Sequence, residues 1–159
     1  MKKKLYGLSL ILIVIDQIIK YIVSDNIILN KEITIIDKFF YITHVHNDGA
    51  AFSILSGNII LLIAITIVAV VAIHLFFIKN KKLNNVEIIL ISMLIGGIIG
   101  NFIDRITLKY VVDYLEFIIF GYYFPVFNFA DICIVLSIAG LVIRELKEDI
   151  CKSLKLKKN

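Results

Sequence analysis

Four long runs of apolar residues dominate the chain. They extend approximately over residues 5–23, 58–78, 86–103 and 128–143. A helix that crosses a bilayer needs about 20 mainly apolar residues, because each residue adds about 1.5 Å to a path through about 30 Å of hydrocarbon. The pattern therefore predicts four membrane-spanning helices, packed as a bundle in a single domain over residues 1–159.

The composition excludes a soluble protein. Hydrophobic residues make up 60% of the 159 residues, and the mean hydropathy is +0.94. One small core cannot hide so much apolar surface, so lipid must cover the remainder. The first run follows Lys2, Lys3 and Lys4, as in a secretory signal, but no small-residue cleavage site comes after it. We therefore expect this run to be retained as a membrane anchor.

The basic residues predict which side of the membrane each loop faces, because Lys and Arg are held in the cytoplasm during insertion. Segments 1–4, 79–85 and 144–159 hold 12 of the 17 Lys and Arg residues, so we expect them to be cytoplasmic. Loops 24–57 and 104–127 then face outward. The net charge of +4 arises mainly from these cytoplasmic basic residues, which also attract anionic membrane lipid. Binding to nucleic acid is not needed to explain the charge, so we do not expect nucleic acid as a partner.

The two outer loops differ in pattern. Apolar residues alternate over residues 33–45, which predicts a small extracytoplasmic β-element, and Asn47-Asp48-Gly49 supplies turn-forming residues after it. The second loop is rich in Tyr and Phe, so we expect it to lie at the membrane interface. The predicted fold class is an all-α integral membrane protein, a four-transmembrane-helix bundle with a small β-element and an interfacial outer loop.

Three acidic residues gather at the outer side of this predicted bundle. The motif Asn-Phe-x-Asp occurs at residues 101–104 and again at 128–131, and Asp113 lies between the two copies. The third and fourth helices are antiparallel, so Asp104, Asp113 and Asp131 should lie at a similar depth. A charged side chain in hydrocarbon costs roughly 2.5 to 3.5 kcal/mol on insertion scales, so such a cluster indicates function.

Two carboxyl groups in a site of low dielectric constant do not both ionise readily, and one of them keeps its proton. The ionised group can then take a proton from water while the protonated group polarises a carbonyl. Peptide-bond hydrolysis suits such a pair. The residues alone leave open which two of the three acids form it.

The same residues also have structural interpretations. The acids could cap helix ends and balance Lys20, Arg105 and Lys109. Asp16 and Lys20 lie four residues apart on the first helix, so they share a face. They could form a structural ion pair or help to bind substrate.

Other classes of function make different predictions. A proton- or cation-coupled transporter also needs intramembrane acids, but here the acids gather at one face instead of crossing the bilayer. We expect the small residues Gly96, Gly97 and Gly100 to permit close helix packing, and a non-catalytic scaffold would use small-residue helix faces to bind partners. His44 and His46 could contribute to a metal site, but we expect them to be solvated loop side chains.

Several motifs, in their order and spacing, resemble those of a known family. They are Asp16-Gln17 with Lys20, Asn47-x-Gly49-Ala50-Ala51-Phe52, Gly96-Gly97-x-x-Gly100-Asn101-x-x-Asp104-Arg105, Val111-Val112-Asp113 and Phe124-Pro125-x-Phe127-Asn128-x-Ala130-Asp131. Over essentially its whole length the chain is similar to the signal peptidase II family, the lipoprotein signal peptidases of the bacterial cytoplasmic membrane.

This resemblance implies an aspartic endopeptidase of family A8, which cuts a prolipoprotein before its diacylglyceryl-modified cysteine. It assigns the catalytic roles to Asp113 and Asp131, at the outer face of a multi-pass protein whose two ends are cytoplasmic. Asp104 then becomes a supporting residue, which we expect to pair with Arg105 or a neighbouring amide. Residues that match family positions supporting the site or binding substrate are Asn47, Gly49, Asn101, Asp104, Arg105, Asn128, Ala130, Asp16 and Lys20. The resemblance implies no metal and no cofactor. We expect the partners to be prolipoprotein substrates and membrane lipid, and the enzyme to be a monomer.

Two positions depart from the family pattern. Lys109 stands where a glycine is usual before the Val-Val-Asp stretch, and Tyr114 replaces the commoner phenylalanine after the aspartate. Both lie outside the expected catalytic pair.

Overall fold

The computed structural model describes residues 2–49, 54–79 and 82–156, apart from the side chains of 152 and 154–156. Ala50, Ala51 and Phe52 of the second motif lie outside the described residues. The helices are α1 (Lys2–Asn26), α2 (Ile59–Ile73, continued by a π-helical turn over His74–Ile78), α3 (Asn85–Thr107) and α4 (Phe129–Leu156). The strands are β1 (Glu32–Ile36), β2 (Phe40–Asn47), β3 (Val111–Ile119) and β4 (Tyr122–Tyr123).

Three of the four predicted spans coincide with helices that are long and apolar enough to cross a membrane. Within the described part of the chain these are Lys2–Asn26, Ile59–Ile78 and Asn85–Thr107. The helix α4 is 28 residues long, but its apolar run is flanked by Asp131 on one side and by Arg144 and Glu145 on the other. The fourth span therefore stays a prediction.

The helix α3 lies at the centre and packs against α1, α2 and α4. Its glycines allow this close approach. A Cβ atom on Gly96 would lie 2.9 Å from Leu12 Cβ of α1, and one on Gly97 would collide with the carbonyl oxygen of Ala130 in α4. The predicted role of these small residues in helix packing is therefore supported by the geometry.

The segments that connect α1 to α2 and α3 to α4 form one antiparallel sheet in the order β1-β2-β3-β4. The predicted β-element is confirmed, but it is larger than expected. The second outer loop was expected to lie at the interface, whereas nine of its residues form β3 and pair with β2. The β-branched and aromatic side chains of Val111, Val112 and Tyr114 favour a buried strand as much as a headgroup position. The predicted all-α fold class is therefore incomplete, because the structure also contains a four-stranded sheet.

A small hydrophobic cluster fixes the sheet to the end of α1. It joins Val23 of α1 and Ile27, the first residue after α1, to Val112 and Tyr114 of β3. Because side chains alternate along a strand, burying Val112 and Tyr114 against α1 turns Asp113 between them to the other face. The strand is thereby held in a fixed position over the helix ends.

The expectation that both loop histidines are solvated is wrong for His44. Its side chain is buried, and its Nδ1 lies 2.8 Å from the carbonyl oxygen of Ile27, to which it donates. A β-bulge between Ile42 and Val45 turns the consecutive residues Thr43 and His44 inward. His46 is exposed and stacks on Tyr110 with a ring-centroid distance of 3.6 Å. In the part of the chain that the structure describes, no three His, Cys, Asp or Glu side chains form a group suited to a metal ion.

Candidate active site

Asp131 lies in the first turn of α4, in a reciprocal cap. Asn128 Oδ1 accepts a hydrogen bond from the Asp131 backbone N–H at 3.0 Å, and Asp131 Oδ2 accepts one from the Asn128 backbone N–H at 3.1 Å. This is the arrangement of a capping box, which starts the helix and fixes both side chains. The capping interpretation is therefore correct for this pair, and it also leaves Asp131 Oδ1 free for another donor.

Asp113 lies on β3 and is only 2% exposed. Two side-chain amides donate to it: Asn47 Nδ2 to Oδ2 at 2.8 Å and Asn128 Nδ2 to Oδ1 at 2.7 Å. Burial, and then the negative charge of Asp131, raise the pKa of Asp113 to about 7, although the two amides act in the opposite direction. Asp113 is therefore poised to hold or release a proton near neutral pH.

Asn128 joins the two acids. Its side chain is fully buried, its amide nitrogen contacts Asp113, and its backbone nitrogen contacts Asp131. Asn101 completes the setting of Asp131, because Asn101 Nδ2 donates to Asp131 Oδ1 at 2.8 Å. The structure thus brings together Asp113 and Asp131, the two acids that the resemblance selected.

Asp104, the third acid, has a different environment. It was expected to pair with Arg105 or a neighbouring amide, and the structure shows an ion pair with Lys20 at 2.9 Å instead of with Arg105. The amide alternative is confirmed, since Asp104 Oδ1 accepts from Gln17 Nε2 at 2.9 Å. Asp104 Oδ2 also accepts from the Val112 backbone N–H at 3.2 Å, so this acid holds the strand beside Asp113.

Asp16 and Lys20 form the predicted ion pair, with Lys20 Nζ 2.9 Å from Asp16 Oδ2. Asp16 Oδ1 accepts from the Ala130 backbone N–H at 3.1 Å, so this acid supports the first turn of α4. Gln17 was missed as a site residue. Its amide nitrogen lies within hydrogen-bonding distance of Asp16, Asp104 and the Gly100 carbonyl. Its place beside Asp16 in the first motif was the available signal.

Arg105 of α3 contacts Gly49 in the turn after β2. Arg105 Nη2 donates to the Gly49 carbonyl at 3.1 Å, and the Gly49 backbone N–H donates to Asn47 Oδ1 at 2.9 Å. This turn orients Asn47 so that its nitrogen faces Asp113. Arg105 Nε is buried and has no hydrogen-bond partner among the described residues. The guanidinium interacts electrostatically with both Asp113 and Asp131.

A family model described as signal peptidase (SPase) II, Peptidase A8, matches residues 8–147. The chain belongs to the signal peptidase II family. Lipoprotein signal peptidases of Staphylococcus aureus strains JH9 and Newman are each 38% identical to it over 151 residues, which cover 92% of this chain and 93% of theirs. Together with its membrane-length helices, this family makes the chain a bacterial membrane protease.

Two solved structures of bacterial membrane enzymes, determined by the in meso method at 2.3 Å and 1.9 Å resolution, share the fold. Their TM-scores are 0.83 and 0.79, and both are 37% identical to this chain. The alignment with the first structure covers 89% of this chain and 87% of the other chain. The alignment with the second covers 88% of this chain and 90% of the other chain. The likeness to these two bacterial membrane enzymes therefore extends over most of the chain.

The two departures from the family pattern have visible structural consequences. Lys109 adopts a φ of +73°, a left-handed conformation that glycine reaches more easily than lysine. The Tyr114 hydroxyl accepts a hydrogen bond at 3.1 Å from the backbone N–H of Phe129, the first residue of α4. A phenylalanine at position 114 could not make this link between β3 and α4.

Proposed function

We propose that this signal peptidase II cleaves prolipoproteins immediately before the diacylglyceryl-modified cysteine, with Asp113 and Asp131 as a catalytic dyad. The observation that carries the proposal is the bridge made by Asn128, which contacts both acids while the pKa of Asp113 is raised to about 7. A pair in which one acid keeps its proton near neutral pH has the protonation state that aspartic peptidase chemistry requires.

In the proposed reaction Asp113 is protonated and Asp131 is ionised. Asp131 takes a proton from a water molecule, whose oxygen attacks the scissile carbonyl carbon, while Asp113 donates a hydrogen bond to the carbonyl oxygen. A tetrahedral intermediate forms. The C–N bond then breaks, Asp131 gives the proton that it took from water to the cysteine nitrogen and is ionised again, and the released signal peptide carries the new carboxyl group. No covalent bond between enzyme and substrate is needed.

Three groups prepare this chemistry. Asn47 and Asn128 fix the two oxygens of Asp113, so its proton can occupy only a limited set of positions. Arg105 supplies a positive charge beside both acids, where negative charge develops on the carbonyl oxygen in the transition state. Because these donors are set before substrate binds, little reorganisation is required during the reaction.

The membrane topology would deliver the substrate to this site. We propose four spans with both ends in the cytoplasm, which puts the sheet and the dyad at the outer surface. The acyl chains on the substrate cysteine would lie in the outer leaflet, beside the helices. That anchorage would bring the adjacent peptide bond to the depth of Asp113 and Asp131.

The test uses the purified chain in detergent and two forms of one prolipoprotein, with and without the diacylglyceryl group. Mass spectrometry should show a single cut before the cysteine in the lipidated form only. Equal cleavage of both forms, or a cut elsewhere, would overturn the proposed specificity. A chelator should leave the rate unchanged, whereas strong inhibition would favour metal chemistry. Ion flux in proteoliposomes without any cleavage would favour the transporter interpretation.

A further inference from the structure

We infer that Lys20 is a positioning residue that acts through Asn101, holding its side-chain amide in the orientation that serves Asp131. The inference rests on the proposed function, since it assigns Asp131 to the dyad. It goes beyond a structural ion pair, because it connects a buried charge in α1 to the geometry of an acid in α4 that this charge does not touch.

Lys20 is 3% exposed and makes three polar contacts. Its Nζ lies 2.9 Å from Asp16 Oδ2 and 2.9 Å from Asp104 Oδ2, and it donates to Asn101 Oδ1 at 2.8 Å. An ammonium group has three N–H donors and no acceptor. The three contacts therefore use its full capacity, and the third goes to a neutral amide.

That third contact decides which way the Asn101 amide faces. Asn101 Oδ1 accepts from Lys20 and also from Asn128 Nδ2 at 3.1 Å, while Asn101 Nδ2 donates to Asp131 Oδ1. The opposite orientation would point the amide N–H groups at two donors and the amide oxygen at a carboxylate. The ammonium group of Lys20 makes the observed orientation much more favourable than its reverse.

The consequence extends to both acids. Asn128 Nδ2 donates to Asn101 Oδ1 and to Asp113 Oδ1, so the position of the Asn101 oxygen also affects the amide that holds Asp113. Lys20 thus fixes one amide, and that amide supports both members of the dyad.

A purely structural account makes a different prediction. Asp16 and Asp104 already give Lys20 two ionic partners, and a structural ion pair needs nothing from Asn101. In that case replacing Lys20 would lower thermal stability, and its effect on turnover would multiply with the effect of replacing Asn101. If Lys20 acts through Asn101, the effect of replacing Lys20 should disappear once Asn101 has been replaced.

The experiment is a double-mutant cycle on cleavage of lipidated prolipoprotein, with Lys20→Met, Asn101→Ala and the double variant. Each single change should lower kcat about 10- to 100-fold, the usual effect of losing a hydrogen-bond partner that orients a functional side chain, with little change in KM. The double variant should be no slower than Asn101→Ala. Arg144→Met is the matched control, because Arg144 forms ion pairs with Glu87 and Glu148 and contacts neither acid. It should keep the wild-type kcat.

Lys20→Met leaves two buried carboxylates with no ammonium partner, so the cycle is also run in an Asp16→Asn background, which restores the charge balance. Effects of Lys20 and Asn101 that multiply in the folded background would overturn the inference. An unchanged kcat in folded Lys20→Met would do so as well. These results are distinct from failure of the proposed function, in which the wild-type chain would not cut the substrate or Asp113→Asn and Asp131→Asn would remain active.

Discussion

Replacing Asn47 by alanine should extend activity to higher pH. Asn47 Nδ2 donates to Asp113 Oδ2 at 2.8 Å and is one of two side-chain amides on that carboxyl group. The amide stabilises the ionised form, so it lowers the pKa of Asp113 from the value that burial and Asp131 would otherwise impose. Removing it should raise that pKa further above about 7. The proton that the mechanism needs would then be retained at higher pH.

The expected shift follows from the strength of the lost bond. A hydrogen bond to a charged group contributes about 1.5 to 3 kcal/mol, and each pKa unit corresponds to about 1.4 kcal/mol. Water that enters the space left by the side chain offsets part of the loss, so we expect a shift of about one unit. With Asp113 protonated in the active form, the ratio of kcat at pH 8 to kcat at pH 6 should rise about fivefold.

The assay is kcat for cleavage of lipidated prolipoprotein between pH 5 and pH 9.5, on the order of ten points. Asn26→Ala is the matched control. Asn26, the last residue of α1, also has a side-chain amide, but its nitrogen donates to the Ile22 carbonyl within the same helix, at 2.8 Å. The alkaline limb of the pH profile of Asn26→Ala should coincide with that of the wild type. An alkaline limb of Asn47→Ala that stays in place or moves to lower pH would refute the protonation assignment.

Three further changes test the packing around the site, and a fourth, Gly7→Ala, is the control for the first of them. Gly97→Ala should lower Tm by the equivalent of about 1 to 3 kcal/mol, since its Cβ would collide with the Ala130 carbonyl oxygen. Gly7→Ala, with nothing within 4 Å of the new Cβ, should raise Tm slightly. Lys109→Gly should stabilise the protein by up to about 1 kcal/mol, because it relieves the positive φ. A Tm below wild type would contradict this. Tyr114→Phe should cost about 1 kcal/mol in thermal unfolding, since the first N–H of α4 loses its acceptor.

Much of the helical part could be predicted from the sequence. Three predicted spans coincide with helices of membrane length, because a long apolar run has few other stable structures in a bilayer. The repeated Asn-Phe-x-Asp motif correctly indicated that polar side chains meet at one end of the bundle. Only the resemblance separated Asp113 and Asp131 from Asp104, since spacing along the chain does not show which acid will find a cationic partner.

Several features depend on contacts between distant parts of the chain and could not be predicted. Tyr and Phe suit both the interface and a strand, so β3 was not recognised until its pairing with β2 was known. His44 is buried because of a β-bulge, and no local residue pattern predicts that bulge. The contact between Lys20 and Asn101 joins residues 81 positions apart, and the orientation of an amide is fixed only by all its neighbours together.

The most direct test of the account is single-turnover cleavage, with enzyme in excess over lipidated prolipoprotein, by the wild-type chain and by Asp113→Asn and Asp131→Asn separately. Thermal unfolding of each variant establishes that it is folded. The account predicts a product that begins with the lipidated cysteine for the wild type and no such product for either variant. Cleavage at the same bond by either folded variant, at a rate near that of the wild type, would contradict the dyad.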